Sequence, residues 1–105
     1  MKLLTRKDRV QLSNFPFNSQ YGKGESAIVL MKFFSTIYDS FRWYVIEFDG
    51  KDTFFCYICK FESSEQKYKH FNFSDFYASP IIERDYTFYP KPLGEALKED
   101  GFEFI

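Results

Sequence analysis

The stretch from Phe41 to Phe61, FRWYVIEFDGKDTFFCYICKF, constrains the fold more than any other part of the chain. Arg42 to Phe48 and Thr53 to Phe61 are both dominated by aromatic and β-branched residues, which suit a pleated, half-buried surface. Between them lies Asp49-Gly50-Lys51-Asp52. Asp-Gly favours a hairpin turn because Gly adopts positive φ without steric cost. Strict alternation along a strand puts Trp43, Val45 and Glu47 on one face and Tyr44, Ile46 and Phe48 on the other. In the second strand Phe55, Tyr57, Cys59 and Phe61 oppose Phe54, Cys56, Ile58 and Lys60. Neither strand has a clean polar face, so the pair is expected centrally in a sheet with both faces at least partly covered; the alternative is one face left open as an aromatic binding surface.

The remaining segments read as cover for this hairpin. Thr5 to Leu12 is expected as a short helix capped by Thr5, with Asp8 three residues on, as in a capping box. Leu3 and Leu4 pin its start. A polar loop over residues 13 to 26 leads into a strand from Ala27 to Phe34, and residues 36 to 40 connect it to the hairpin. A polar loop from Glu62 to Gln66 precedes a half-exposed strand from Lys67 to Phe73. Ser74 then caps a single helical turn. Ile81 to Tyr89 reads as the last long strand. Pro92 opens a helix running to about Lys98, Gly101 ends it, and Phe102, Phe104 and Ile105 form a docked tail. The expected architecture is α+β: an antiparallel sheet of four to five strands with short N-terminal and C-terminal helices, in a single domain over residues 1 to 105.

Charge and motif content narrow the function. The chain carries 14 Lys and Arg against 15 Asp and Glu, a formal net charge of −1. That argues against broad attraction to nucleic acid or to an anionic membrane. No apolar run approaches the roughly 20 residues of a membrane-spanning helix, and no signal peptide is evident. A soluble, cytoplasmic protein with reduced thiols is expected.

Cys56-Tyr57-Ile58-Cys59 matches C-x-x-C, but within a strand the two thiols face opposite ways and no helix N-terminus activates either. One His and two Cys fall short of a structural zinc set. Core cysteines, with no metal and no cofactor, are expected. Gly22-Lys23-Gly24-Glu25 lacks the full phosphate-loop pattern. His70 has no motif partner for catalysis. No catalytic residue is assigned.

Glu83-Arg84-Asp85 carries more information. Arg84 shares a face with Ile82, Tyr86 and Phe88, and a charge among aromatics needs a partner. Glu47 is the expected one. Glu47, Arg84 and Asp85, with Trp43 and Tyr86 as aromatic anchors, therefore form the candidate binding set. It is either a structural ion pair or a polar spot in an aromatic cleft. An aromatic sheet face can also stack nucleobases, although no RNP-type pattern occurs.

Met1-Lys2-Leu3-Leu4-Thr5, Lys32-Phe33-Phe34, Trp43-Tyr44 followed by Glu47, Phe54-Phe55, Ile82-Glu83-Arg84-Asp85 and Lys91-Pro92-Leu93 occur in series. In order and spacing this series resembles the bacterial domain-of-unknown-function family 2958 over about residues 1 to 97. Cys56, Cys59 and the tail after Leu97 depart from the family pattern. The resemblance implies a small soluble protein carried on plasmids and other mobile elements. It brings no activity, cofactor or catalytic residue. The expected function is a non-catalytic protein-interaction module, by analogy an inhibitor of a host defence system. The alternatives are a small-ligand binder or enzyme using a Glu47, Arg84 and Asp85 cleft, and a single-stranded nucleic-acid binder.

Overall fold

The computed structural model describes residues 4–37, 41–60 and 66–104. Expectations for Leu3, residues 38–40, Phe61, the polar loop over 62–65 and Ile105 lie outside the described residues. A five-stranded antiparallel sheet is formed by β2 (Met31–Ser35), β3 (Phe41–Phe48), β4 (Thr53–Lys60), β5 (Gln66–Asn72) and β6 (Ile82–Arg84). The spatial order is β5-β4-β3-β2-β6, which places β3 at the centre with β4 beside it. A small second sheet pairs β1 (Ile28–Val29) with β7 (Lys91–Pro92). Helices α1 (Arg6–Leu12), α2 (Phe73–Ala78) and α3 (Leu93–Glu99) complete the α+β architecture.

Two cores follow from the two covered faces. On one, Phe33, Trp43, Val45, Phe48, Phe54, Cys56 and Ile58 meet Leu12 of α1 and Phe76 of α2. On the other, Tyr44, Ile46, Tyr57 and Cys59 meet Leu93, Ala96 and Leu97 of α3, with Phe102 and Phe104 of the tail. The absence of a polar face on either hairpin strand is thus explained by helices on both sides.

Local signals act as their chemistry requires. Thr5 Oγ1 accepts the Asp8 N–H at 3.1 Å, and the Asp8 carboxylate accepts the Thr5 N–H at 2.9 Å, a complete capping box. Asp49 Oδ1 accepts the N–H groups of Lys51, Asp52 and Thr53, and Gly50 has φ 88°. After α3, Gly101 has φ 84°; its N–H donates to Lys98 O and that of Phe102 to Leu97 O. This paired pattern swings the tail back onto the α3 core.

Four expectations are corrected. The strand expected over Ala27–Phe34 is interrupted at Leu30, so that β1 leaves the main sheet to pair with β7. An apolar run reads alike in both settings. The strand expected over Ile81–Tyr89 stops at Arg84, because Asp85 Oδ1 accepts both the N–H and the hydroxyl of Thr87 and turns the chain away. Phe73 belongs to α2 rather than to β5, and the residue before that helix, Asn72, makes no side-chain cap. Ser74 instead bonds the Asp52 carboxylate of the hairpin turn through its N–H and its hydroxyl. Fourth, the pairing of β3 with β4 shifts between Val45 and Glu47, so Ile46 and Glu47 together oppose Phe55. This bulge moves Glu47 to the α3 face and Phe48 to the α1 face, opposite to strict alternation.

The cysteines lie where the strand reading places them: Cys56 is buried in the α1–α2 core and Cys59 in the α3 core. Burial pushes both thiols up, that of Cys59 to about 12. Neither is expected to react with a disulfide reagent in the folded protein, and both are expected to react after denaturation. Rapid release of a chromophore from the native protein would contradict this placement.

Candidate functional site

The bulge aims the Glu47 carboxylate at the loop before β1. Glu47 is only 5% exposed. Its Oε1 accepts the N–H of Asn18 and its Oε2 that of Gln20, both at 2.9 Å. The loop reaches the carboxylate through a left-handed residue, Asn18, with φ 71°. Asn tolerates that region better than most residues. Gln20 completes the tie: its Nε2 donates to Ile28 O at 2.7 Å and Ile46 O at 2.8 Å, and its Oε1 accepts the Ile28 N–H. Among the described residues, no basic side chain stands within ion-pair distance of Glu47.

Beside this anchor opens a pocket of about 330 Å3. Tyr21, Gly22 and Gly24 line it from the loop, Ile46 and Glu47 from β3, Phe55 from β4 and Tyr68 from β5. The Phe55 and Tyr68 rings stack at 5.3 Å with their planes 4° apart. Tyr57 meets Tyr68 edge-on at 5.0 Å. Tyr21, 87% exposed, stands out from the loop.

Glu47→Gln removes one of the two backbone acceptors and turns an NH2 group toward the N–H left behind. The expected cost is about 2 kcal/mol, with faster amide exchange at Asn18 and Gln20. Unchanged stability and exchange would mean the carboxylate does not hold the loop.

Arg84 does not meet Glu47. The two lie on opposite faces of the sheet, because the bulge carries Glu47 away and the pairing of Arg84 with Phe33 keeps Arg84 on the α1 face. Its partner is Asp8 of α1: Nη1 donates to Oδ2 at 2.6 Å and Nη2 to Oδ1 at 2.8 Å, a bidentate pair. The Arg84 hydrogen bonds hold the Asp8 carboxyl well down, at about 2, against the opposing effect of burial. The Tyr86 ring, 58% exposed, lies 5.3 Å from the guanidinium.

Asp85 points to the α3 face. Its backbone N–H bonds Lys32 O, and its carboxylate stands 3.2 Å from Lys32 Nζ. Burial raises the Asp85 carboxyl, but its bonds from Thr87 and Lys32 outweigh this and leave it lowered. Lys32 also reaches both oxygens of Asp100, at 3.2 Å each, and Tyr44 Oη donates to Asp100 Oδ2 at 2.6 Å. Burial, then the Asp100 bond, pushes the Tyr44 phenol up, so it stays a neutral donor. This network fastens the C-terminal end of α3 to the sheet.

Trp43 is buried on the α1–α2 face, stacked on Phe41 at 5.6 Å. It lines a second pocket with Phe71, Lys60, Lys67 and Lys69. Of the candidate set, then, only Arg84, Asp85 and Tyr86 adjoin, and Arg84 and Asp85 face opposite sides. Glu47 and Trp43 stand apart from them and from each other.

Sequence reasoning missed Asp8 as the Arg84 partner, Gln20 as a loop anchor, and Tyr21 and Tyr68 as pocket walls. Only the capping-box position of Asp8 gave any local signal. No protein-family model, curated protein or solved structure matches the chain. No helix among the described residues is long and apolar enough to cross a membrane.

Proposed function

We propose that the chain is a non-catalytic protein-interaction module, and that it receives a partner segment at the pocket walled by Tyr21, Phe55 and Tyr68. The observation that carries this reading is the exposed Tyr21 beside a preformed aromatic stack on the edge strand β5. Tyrosines of this kind supply large contact area at low entropic cost and are enriched at binding hot spots. The interior polar groups support it too. Arg84 is committed to Asp8, Lys32 and Tyr44 to Asp100, and Glu47 to two backbone N–H groups, each holding one element to another. A catalytic group needs geometry left open for a reacting atom. The resemblance to family 2958 implies a small protein of a bacterial mobile element; by analogy with other such proteins, the partner proposed is a host defence protein met in the cytoplasm.

A tagged protein purified from bacterial cells, compared with Tyr21→Ala and Tyr68→Ala, tests this by mass spectrometry of what is retained. A stoichiometric protein lost in both variants supports the reading. A retained small molecule favours the ligand-binding alternative. Retained nucleic acid released by salt favours the third, for which Lys60, Lys67 and Lys69 around Trp43 would supply the contacts.

A further inference from the structure

The pocket beside Glu47 has chemistry that a purely apolar guest does not need. Its walls carry aromatic rings from Tyr21, Phe55 and Tyr68, and Glu47 is among its lining residues. Each Glu47 oxygen accepts one backbone N–H, and a carboxylate oxygen has room for a second donor. No described cation neutralises it. Lys23, between the two lining glycines in sequence, is exposed and outside the lining. Aromatic faces attract a cation, most strongly where water is excluded.

We infer that this pocket is a binding site for an alkylammonium group, and that its occupant is a lysine side chain of the protein partner. The methylene stem lies against Ile46 and the rings, and the ammonium group is directed to Glu47. An ammonium group gains the attraction of the carboxylate and of the ring faces, and a neutral guest of the same shape gains neither. Charge discrimination is therefore built in. The volume of about 330 Å3 sits at the low end for ligand sites and suits one side chain. Tyr68 belongs to β5, which pairs only with β4 among the described residues. A partner strand added at that edge would present a side chain to the pocket. Only the source of the lysine rests on the interaction reading above; the ammonium chemistry does not.

The test is an NMR titration of the whole chain with three probes: an acetyl-Gly-Lys-Gly amide, the same peptide with norleucine for lysine, and choline. The lysine peptide is expected to shift the amides of Tyr21, Gly22 and Gly24. The norleucine peptide should bind at least about tenfold more weakly, and Tyr21→Ala should weaken the lysine peptide by about tenfold. Tyr21 is so exposed that its loss leaves the fold intact, which separates binding from stability. Equal binding of the lysine and norleucine peptides overturns the proposal, as does a Tyr21→Ala protein that binds unchanged. Choline binding without lysine-peptide binding overturns the assignment to a lysine side chain. A stoichiometric partner captured through Tyr21 while the lysine peptide fails would overturn this inference and leave the interaction reading standing.

Discussion

Phe76→Ala is expected to cost about 4 kcal/mol, the largest loss for any single side chain of α2. Phe76 is 1% exposed. Its ring lies 4.8 Å from Phe33, 5.4 Å from Phe71, 5.6 Å from Trp43 and 6.2 Å from Phe54. Such ring contacts add to simple area burial. The helix that carries it has six residues, too few to persist without tertiary contacts of this kind. Truncation opens a cavity against four strands, β2 to β5, and the rigid sheet can collapse into it only partly. For a domain of this size the loss corresponds to a fall of roughly 15–30 °C in Tm. Denaturant unfolding gives the energy directly, and Phe76→Leu should lose well under half as much. A loss below about 1 kcal/mol for the alanine variant would mean that α2 is not seated on Phe33 and Trp43.

The parts of this fold that were legible in the sequence are those whose cause is local. The Asp49-Gly50 turn, the Thr5–Asp8 capping box and the Gly101 stop each depend on residues within a few positions of one another. The two-faced burial of the hairpin was legible because neither strand offers a polar side. The candidate site was much less so. Strict alternation assumes that no residue is inserted, and nothing in Val45-Ile46-Glu47 marks the bulge. One extra residue sent Glu47 to the other face, and with it went the expected partner of Arg84. Asp8 was legible as a cap, yet a carboxylate has about four acceptor positions and can cap a helix while binding a guanidinium. Contacts between residues far apart in the chain, such as Asp8 with Arg84 or Lys32 with Asp100, are decided by topology, which local pattern does not encode.

Arg84→Ala is expected to cost about 3 kcal/mol, because it strands the Asp8 carboxylate under α1. The pair is largely closed to solvent, with side-chain exposures of 13% for Arg84 and 11% for Asp8, so screening by water is limited. Asp8→Ala should cost a similar amount, since it leaves the guanidinium unpaired and also opens the capping box around Thr5. The double variant removes both charges and should lose clearly less than the sum of the singles, with a coupling of about 2 kcal/mol. The same pair sets an acid limit. The Asp8 carboxyl lies at about 2 when folded, below its ordinary 3.8. A lowered folded value stabilises the protein above the unfolded value and is lost as pH falls through the folded one. The contribution is therefore complete above about pH 5 and disappears between about pH 4 and 2, roughly 2 kcal/mol in all. Asp85 is also lowered, so the wild-type curve alone does not isolate Asp8. The difference between wild type and Arg84→Ala does: their gap should be widest at neutral pH and should close by about 2 kcal/mol in acid. Denaturant unfolding at pH 7, 4 and 2.5 measures it. A gap that stays constant with pH, or single variants whose losses simply add, would mean that Asp8 and Arg84 do not pair in solution.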